Sequence, residues 1–264
     1  MTDLQHLQKV ILGIIKDVDS LCRRNEIKYY LLGGSAIGAI RHHGFIPWDD
    51  DLDIIMDNDN YQKFIHVCRT QLDSEKYYFQ EGLVDWPCSF SKIKLRGTRF
   101  DEQSGYINSS GECGIFVDIF KMEKSPDSFI GKVWQYGCAK YLLCYSLFKR
   151  GWLDTTFLKK LMLIGAYPLE LKFLRVFLQN QVEKWNRRQT GYYGFFSGRY
   201  RFKGSFYPNN IFECMVYVPF EDTMLPVPKG YDCWLKQIFG DYMTPPPENK
   251  QVCLHLKSID FGSY

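Results

Sequence analysis

Four carboxylates fall within five residues of this chain: Asp49, Asp50, Asp51 and Asp53. They close the stretch 31–55, LLGGSAIGAIRHHGFIPWDDDLDII, which opens with a Gly-Gly-Ser turn. Residues two apart on a strand share a face. Read as a strand from Asp51, the run projects Asp51 and Asp53 together and sends Leu52 and Ile54 into the opposite packing layer. Asp49 joins that face only if the strand starts early, and Asp50 points away. Two carboxylates on one face repel unless a cation lies between them, and hard oxygen ligands of this kind suit Mg²⁺ or Mn²⁺. A solvated acidic loop or a helix cap is the plainer reading. The apolar neighbours Leu52, Ile54 and Ile55 weigh against it.

A third acid stands in GIFVDIF, residues 114–120, an apolar strand pattern with Asp118 in its middle. A buried carboxylate is costly unless paired or bound to metal. Asp118 is therefore a further candidate ligand, or the partner of a basic side chain. Gly33, Gly34 and Ser35 end a short apolar strand, 28–32, and Ser35 is a good N-cap for a helix over 36–41. Such a turn lets a phosphate approach free backbone N–H groups, although many tight turns need glycine for no other reason. The segment 90–100 alternates, with Lys92, Lys94 and Arg96 on one face and Ile93 and Leu95 on the other. Lys92 or Lys94 could meet a substrate phosphate, or the face could simply be solvated. Arg41, His42 and His43 lie close in sequence to the acids and are candidate phosphate or base contacts.

The surrounding elements follow from hydrophobic spacing. Leu4 to Arg24 carries apolar residues at three- and four-residue steps and predicts an amphipathic helix. Helices are expected over 57–70 and 231–239, and strands over 76–80 and 90–100. Ser125-Pro126 reads as the start of a helical middle, 125–190, in which Phe148, Lys149, Arg150, Trp152, Leu158, Lys159, Lys160, Leu161 and Met162 mix apolar with basic character. That mixture suits an anionic membrane surface; it suits equally a helical insertion with its lysines in solvent. Residues 191–264 read as short strands, turns and one helix completing the domain.

Composition narrows the classes. The chain has 264 residues, 45% of them hydrophobic, 17% aromatic and 24% charged, with a net charge of +3. That balance gives no support to nucleic-acid binding, which calls for a strongly basic face. Nine scattered cysteines without a C-x-x-C pair point to reduced thiols and a cytoplasmic protein rather than a disulfide framework or a zinc site. No signal-peptide pattern and no membrane-spanning apolar run is present.

The stretch 31–54 resembles the signature of the LicD family, whose relatives include the fukutin group. GIFVDIF is similar to that family's strand with the third acid. VPFEDTMLPVPKGYDCWLKQIFGDYMTPPP, residues 218–247, resembles its C-terminal pattern of P-F-E, G-Y-D and G-D-Y-M before prolines. The resemblance implies an α+β, nucleotidyltransferase-like domain over 1–264. Its small mixed sheet flanked by helices would lie in 1–124, with the helical segment inserted and a C-terminal α/β tail packed on the core. It further implies transfer of phosphocholine or a polyol phosphate from a CDP-linked donor to a sugar hydroxyl of a cell-surface glycan or its lipid-linked precursor. Gly33, Gly34 and Ser35 match the phosphate turn, Asp51 and Asp53 the D-x-D metal ligands, and Asp118 the third acid. Two alternatives stay open: addition of a nucleotide to a small phosphate or protein, and a non-catalytic glycan-binding or scaffold relative.

Overall fold

A computed structural model describes residues 2–102, 112–150, 164–198, 201–253 and 255–264. The first helix, α1 (Asp3–Arg24), starts at a capping box in which the Thr2 side chain accepts from Gln5 N and Gln5 reaches back to Thr2. Its apolar stripe is the one the spacing predicts: Leu7, Ile11, Ile14, Ile15 and Val18 are fully buried. Each such side chain stabilises the fold by ~2 kcal/mol on transfer from water. The other described helices are α2 (Gly33–His42), α3 (Asn58–Gln71), α4 (Phe129–Lys149), α5 (Lys172–Glu183) and α6 (Tyr231–Phe239).

The main sheet runs β1-β2-β6-β4-β3, made from β1 (Tyr30–Leu31), β2 (Asp53–Asp57), β3 (Tyr77–Gln80), β4 (Ser91–Leu95) and β6 (Phe116–Ser125). Only β2 and β6 are parallel in that path. The short strands β7 (Tyr192–Gly194) and β8 (Phe206–Pro208) extend it from β6. Two hairpin-like pairs complete the fold. One joins β5 (Arg99–Glu102) to β11 (Leu256–Asp260), and the other joins β9 (Met215–Phe220) to β10 (Thr223–Pro228).

Alternation along the strands gives the sheet two faces of different character. Ile54, Met56, Ile93, Leu95, Val117 and Ile119 join α1, α2 and α3 in the main core. Ile55 and Met122 point the other way, into a second cluster with Tyr207, Phe212 and Trp234 of the C-terminal third. The same opposite face carries Asp53, Asp118 and Lys92.

Several boundaries depart from the sequence reading. Asp51 precedes β2 and does not lie on it. The segment 90–100 splits into β4 and β5, because Gly97, at φ +75°, turns the chain between them. β6 continues through Ser125, so Ser128 caps α4, its Oγ accepting from Gly131 N. Ser35 is no N-cap: α2 begins two residues earlier, at Gly33, whose φ of +58° suits glycine. Trp152, Leu158, Lys159, Lys160, Leu161 and Met162 lie outside the described residues. Among the described residues all nine cysteines are free, and no helix is long and apolar enough to cross a membrane.

Candidate active site

The sheet register builds the site. Asp53 of β2 stands beside Asp118 of β6, and Asp118 stands beside Lys92 of β4. Directly paired residues project to the same face, so three neighbouring strands present an acid–acid–base row. Gln80 of β3 is the next position in that row, buried and without a hydrogen-bond partner for its amide among the described residues.

Backbone and side-chain bonds lock the row to α2. Asp53 N donates to Ser35 Oγ at 2.9 Å, and Leu32 N donates to Asp53 O at 2.9 Å. Ser35 thus holds the start of β2 with the hydroxyl that the sequence reading assigned to a helix cap. Gly34 is tight for a different reason: a Cβ there would meet Asp49 Oδ2 at 2.8 Å. The glycine turn and the acids are in contact.

The acidic run 49–51 is a loop, and the alternation expected of it does not apply. Asp49 lies beside Asp51 and shares a hydrogen bond with it. Burial, then the charges of Asp51 and Asp50, push the Asp49 carboxyl up to about 8. Burial likewise raises Asp51 and, with Asp51, Asp118 and Asp49 as neighbours, raises Asp53 strongly. Asp118 rises to about 6 through burial, held back chiefly by Lys92. Carboxylates ~4 Å apart repel by ~4 kcal/mol at an effective dielectric near 20, so this centre favours protons or a bound cation.

Asp50, expected to point away, is 1% exposed and anchors the chain's far end. Its Oδ2 accepts from His255 N at 2.8 Å, Leu256 N at 2.6 Å and Cys253 Sγ at 2.8 Å. That anchor places the His255 ring at the site, with Nε2 3.3 Å from Asp51 Oδ2. Asp50, Asp51 and His255 each bring one possible ligand atom to within 4.8 Å of the others.

Lys92 is buried at the base of the row. Its Nζ lies 2.7 Å from Glu102 Oε1 and 3.3 Å from Asp118 Oδ1, over the Phe116 ring. Burial alone would lower its pKa; Asp118 and Glu102 outweigh that and raise it. The solvated basic face is therefore ruled out for Lys92. It is also ruled out for Lys94, which is buried, donates to Glu112 O at 2.8 Å and falls to about 8 through burial and the nearby Lys92. Arg41 donates from Nη1 to Tyr242 O at 2.7 Å and from Nε to His42 Nε2 at 2.9 Å. These contacts tie α2 to the C-terminal tail and reach none of the acids.

The structure thus brings Asp51, Asp53, Asp118, Lys92, Gly34 and Ser35 together. Asp49, expected on the acidic face only if the strand started early, completes the centre with Glu102 and His255. The pattern along the chain does not single out Glu102 or His255, because each lies far in sequence from the acidic run. The residues fit a divalent cation. Asp118 Oδ1 is buried, with Lys92 Nζ as a charged neighbour at 3.3 Å, and the donor set around it is dominated by carboxylates.

Residues 26–146 match the family described as LicD/FKTN/FKRP, nucleotidyltransferase domain. The chain is 32% identical over 265 residues to the lipopolysaccharide cholinephosphotransferase LicD of Haemophilus influenzae, covering 96% of each chain. It is also 32% identical over 117 residues to an uncharacterized protein of Rickettsia typhi, covering 44% of this chain and 30% of the other. With full-length similarity and the signature stretch in place, the chain belongs to the LicD/FKTN/FKRP family.

Proposed function

We propose that this enzyme is a metal-dependent phosphotransferase that moves phosphocholine, or a polyol phosphate, from a CDP-linked donor to a sugar hydroxyl of a surface glycan or its lipid-linked precursor. One observation carries the reading: the cross-strand row Asp53–Asp118–Lys92, with Asp51 brought against it. The full-length relative of Haemophilus influenzae, named as a lipopolysaccharide cholinephosphotransferase, supports both the reaction class and the kind of acceptor.

Asp51, Asp53 and Asp118 would hold Mg²⁺ or Mn²⁺. When bound, the cation would neutralise the donor's diphosphate and stabilise charge on the leaving phosphate. The chain's own groups do the rest. Lys92, fixed between Glu102 and Asp118, keeps a positive charge beneath the row. A carboxylate oxygen of Asp118 that the cation does not engage would take the proton of the attacking hydroxyl. The sugar oxygen bonds to phosphorus as the bond to CMP breaks, and CMP leaves with the electron pair. Gly33, where a Cβ would meet nothing within 4 Å, leaves room for phosphate.

The test is transfer from CDP-choline, CDP-ribitol and CDP-glycerol with Mg²⁺, alongside thermal stabilisation by each donor. One donor should raise the melting temperature in a metal-dependent way. Asp51→Asn and Asp53→Asn should each lower transfer by a factor on the order of a hundred or more, as expected when a group acting on transition-state charge is lost. Wild-type rates in both variants would refute the assignment.

A further inference from the structure

The helical middle wears its apolar stripe on the outside. On α4, Ile130, Val133 and Trp134 are exposed, and on α5, Phe173, Val176 and Phe177 are exposed; Ile130 is 82% and Phe173 71% accessible. Both sets follow the i, i+3, i+4 spacing that normally faces a core. The two stripes adjoin, because Trp134 Nε1 donates to Gln181 Oε1 at 3.2 Å, one turn along α5 from Phe177. Large exposed apolar patches of this kind mark interaction sites.

Charge identifies the occupant. Residues 128–188 hold eleven Lys and Arg against three Asp and Glu, whereas the whole chain holds 33 against 30. α4 has no acidic residue at all. Lys172 opens α5 and is exposed, and Lys184, Arg187 and Arg188 follow its end, also exposed, with Lys184 and Arg188 over the Trp185 ring. Two copies would bring the exposed Lys172, Lys184, Arg187 and Arg188 of each together, which disfavours self-association. We propose that the outer face of α4 and α5 docks on an anionic phospholipid bilayer, its aromatic and aliphatic side chains entering the interface and its basic residues meeting lipid phosphates.

The docking itself rests on exposure and charge. That the bilayer carries the acceptor rests on the transferase reading above. The other end of α4 reaches the site: Arg150, its C-cap, lies 3.3 Å from Glu102, which holds Lys92. At 1.5 Å per residue the stripe near Val133 lies ~25 Å along the helix from that contact. The spacing suits a sugar carried some distance from its lipid anchor.

The test is co-sedimentation of the full chain with vesicles of phosphatidylcholine mixed with phosphatidylglycerol, without donor or acceptor, so that it reads independently of catalysis. Binding should appear at low salt, weaken as salt rises and fall at least tenfold on pure phosphatidylcholine. The triple substitution Ile130→Ser, Phe173→Ser, Phe177→Ser should lower binding about tenfold or more while leaving the melting temperature and transfer to a soluble acceptor unchanged. Should that variant prove unfolded, Arg187→Ser with Arg188→Ser decides, with an expected loss of about thirtyfold, roughly fivefold for each charge. No binding to anionic vesicles, equal binding by the folded variants, or a dimer in light scattering that these substitutions dissociate would each overturn the proposal.

Discussion

Asp49 rests against Gly34 and hydrogen-bonds Asp51, and its carboxyl holds a proton to about pH 8. In the unfolded chain the same group ionises near its ordinary value of ~4. Between those two values the folded state binds more protons than the unfolded state, so stability falls as pH rises. Asp118, at about 6, acts in the same direction. Chelator-treated protein should therefore melt at progressively lower temperature from pH 5 to pH 8. Asp49→Asn, which keeps the shape without the charge, should flatten that slope, and Mg²⁺ should stabilise more at pH 8 than at pH 5. Parallel melting curves for wild type and variant across the range would show that Asp49 does not titrate there. Asp51, Asp53 and Asp118 were legible in sequence because costly acids stood among apolar residues. Asp49 was legible only as a conditional member of the acidic face, because strand alternation does not hold in the loop that carries it.

The elements explain why α2 and the acidic loop stay in register. Gly38 on α2 lies so close to the returning chain that a Cβ would meet Gly44 O at 2.5 Å. From the other side Glu221, the acid of the P-F-E motif, clamps the loop: Phe45 N donates to its Oε1 at 3.0 Å, and its own N donates to His43 O at 2.7 Å. Gln8 of α1 adds bonds to Ile46 O and Asp49 O. A part-buried hydrogen bond of this kind contributes about 1 kcal/mol, and a chain of this length loses roughly 2–4 °C per kcal/mol. Glu221→Ala should therefore melt a few degrees lower and transfer more slowly, since the loop it holds carries Asp49, Asp50 and Asp51. A variant with unchanged melting and rate would remove Glu221 from the support of the site. The helices α1, α3 and α6 could be read from periodicity because their own residues set their buried faces. The extent of β1, and the break between β4 and β5, depended on strand partners and on a glycine turn that spacing alone does not reveal.

At the scale of the whole molecule the chain ends where its chemistry begins. Cys253, His255 and Leu256 return to the loop at Asp50, and β11 pairs with β5, so residues some 200 positions apart share one site. No local pattern encodes such a contact, which is why Asp50 looked idle in the sequence and His255 was invisible. The arrangement makes a buried carboxylate the fastener of the C-terminal segment. Asp50→Asn keeps the size but replaces an acceptor charge facing three donors with a neutral amide, and a charge-assisted bond lost in a buried setting costs about 1.5–3 kcal/mol. The variant should melt roughly 3–12 °C lower. Limited proteolysis should cut its last dozen or so residues before the rest, because the segment has lost the partner that holds it down. His255→Ala, which keeps the backbone bonds to Asp50, should leave that protease pattern unchanged and lower transfer severalfold through the lost contact with Asp51. If Asp50→Asn leaves the tail as protected as in the wild type, the segment is held by the β5–β11 pairing, and His255 reaches Asp51 without help from the buried acid.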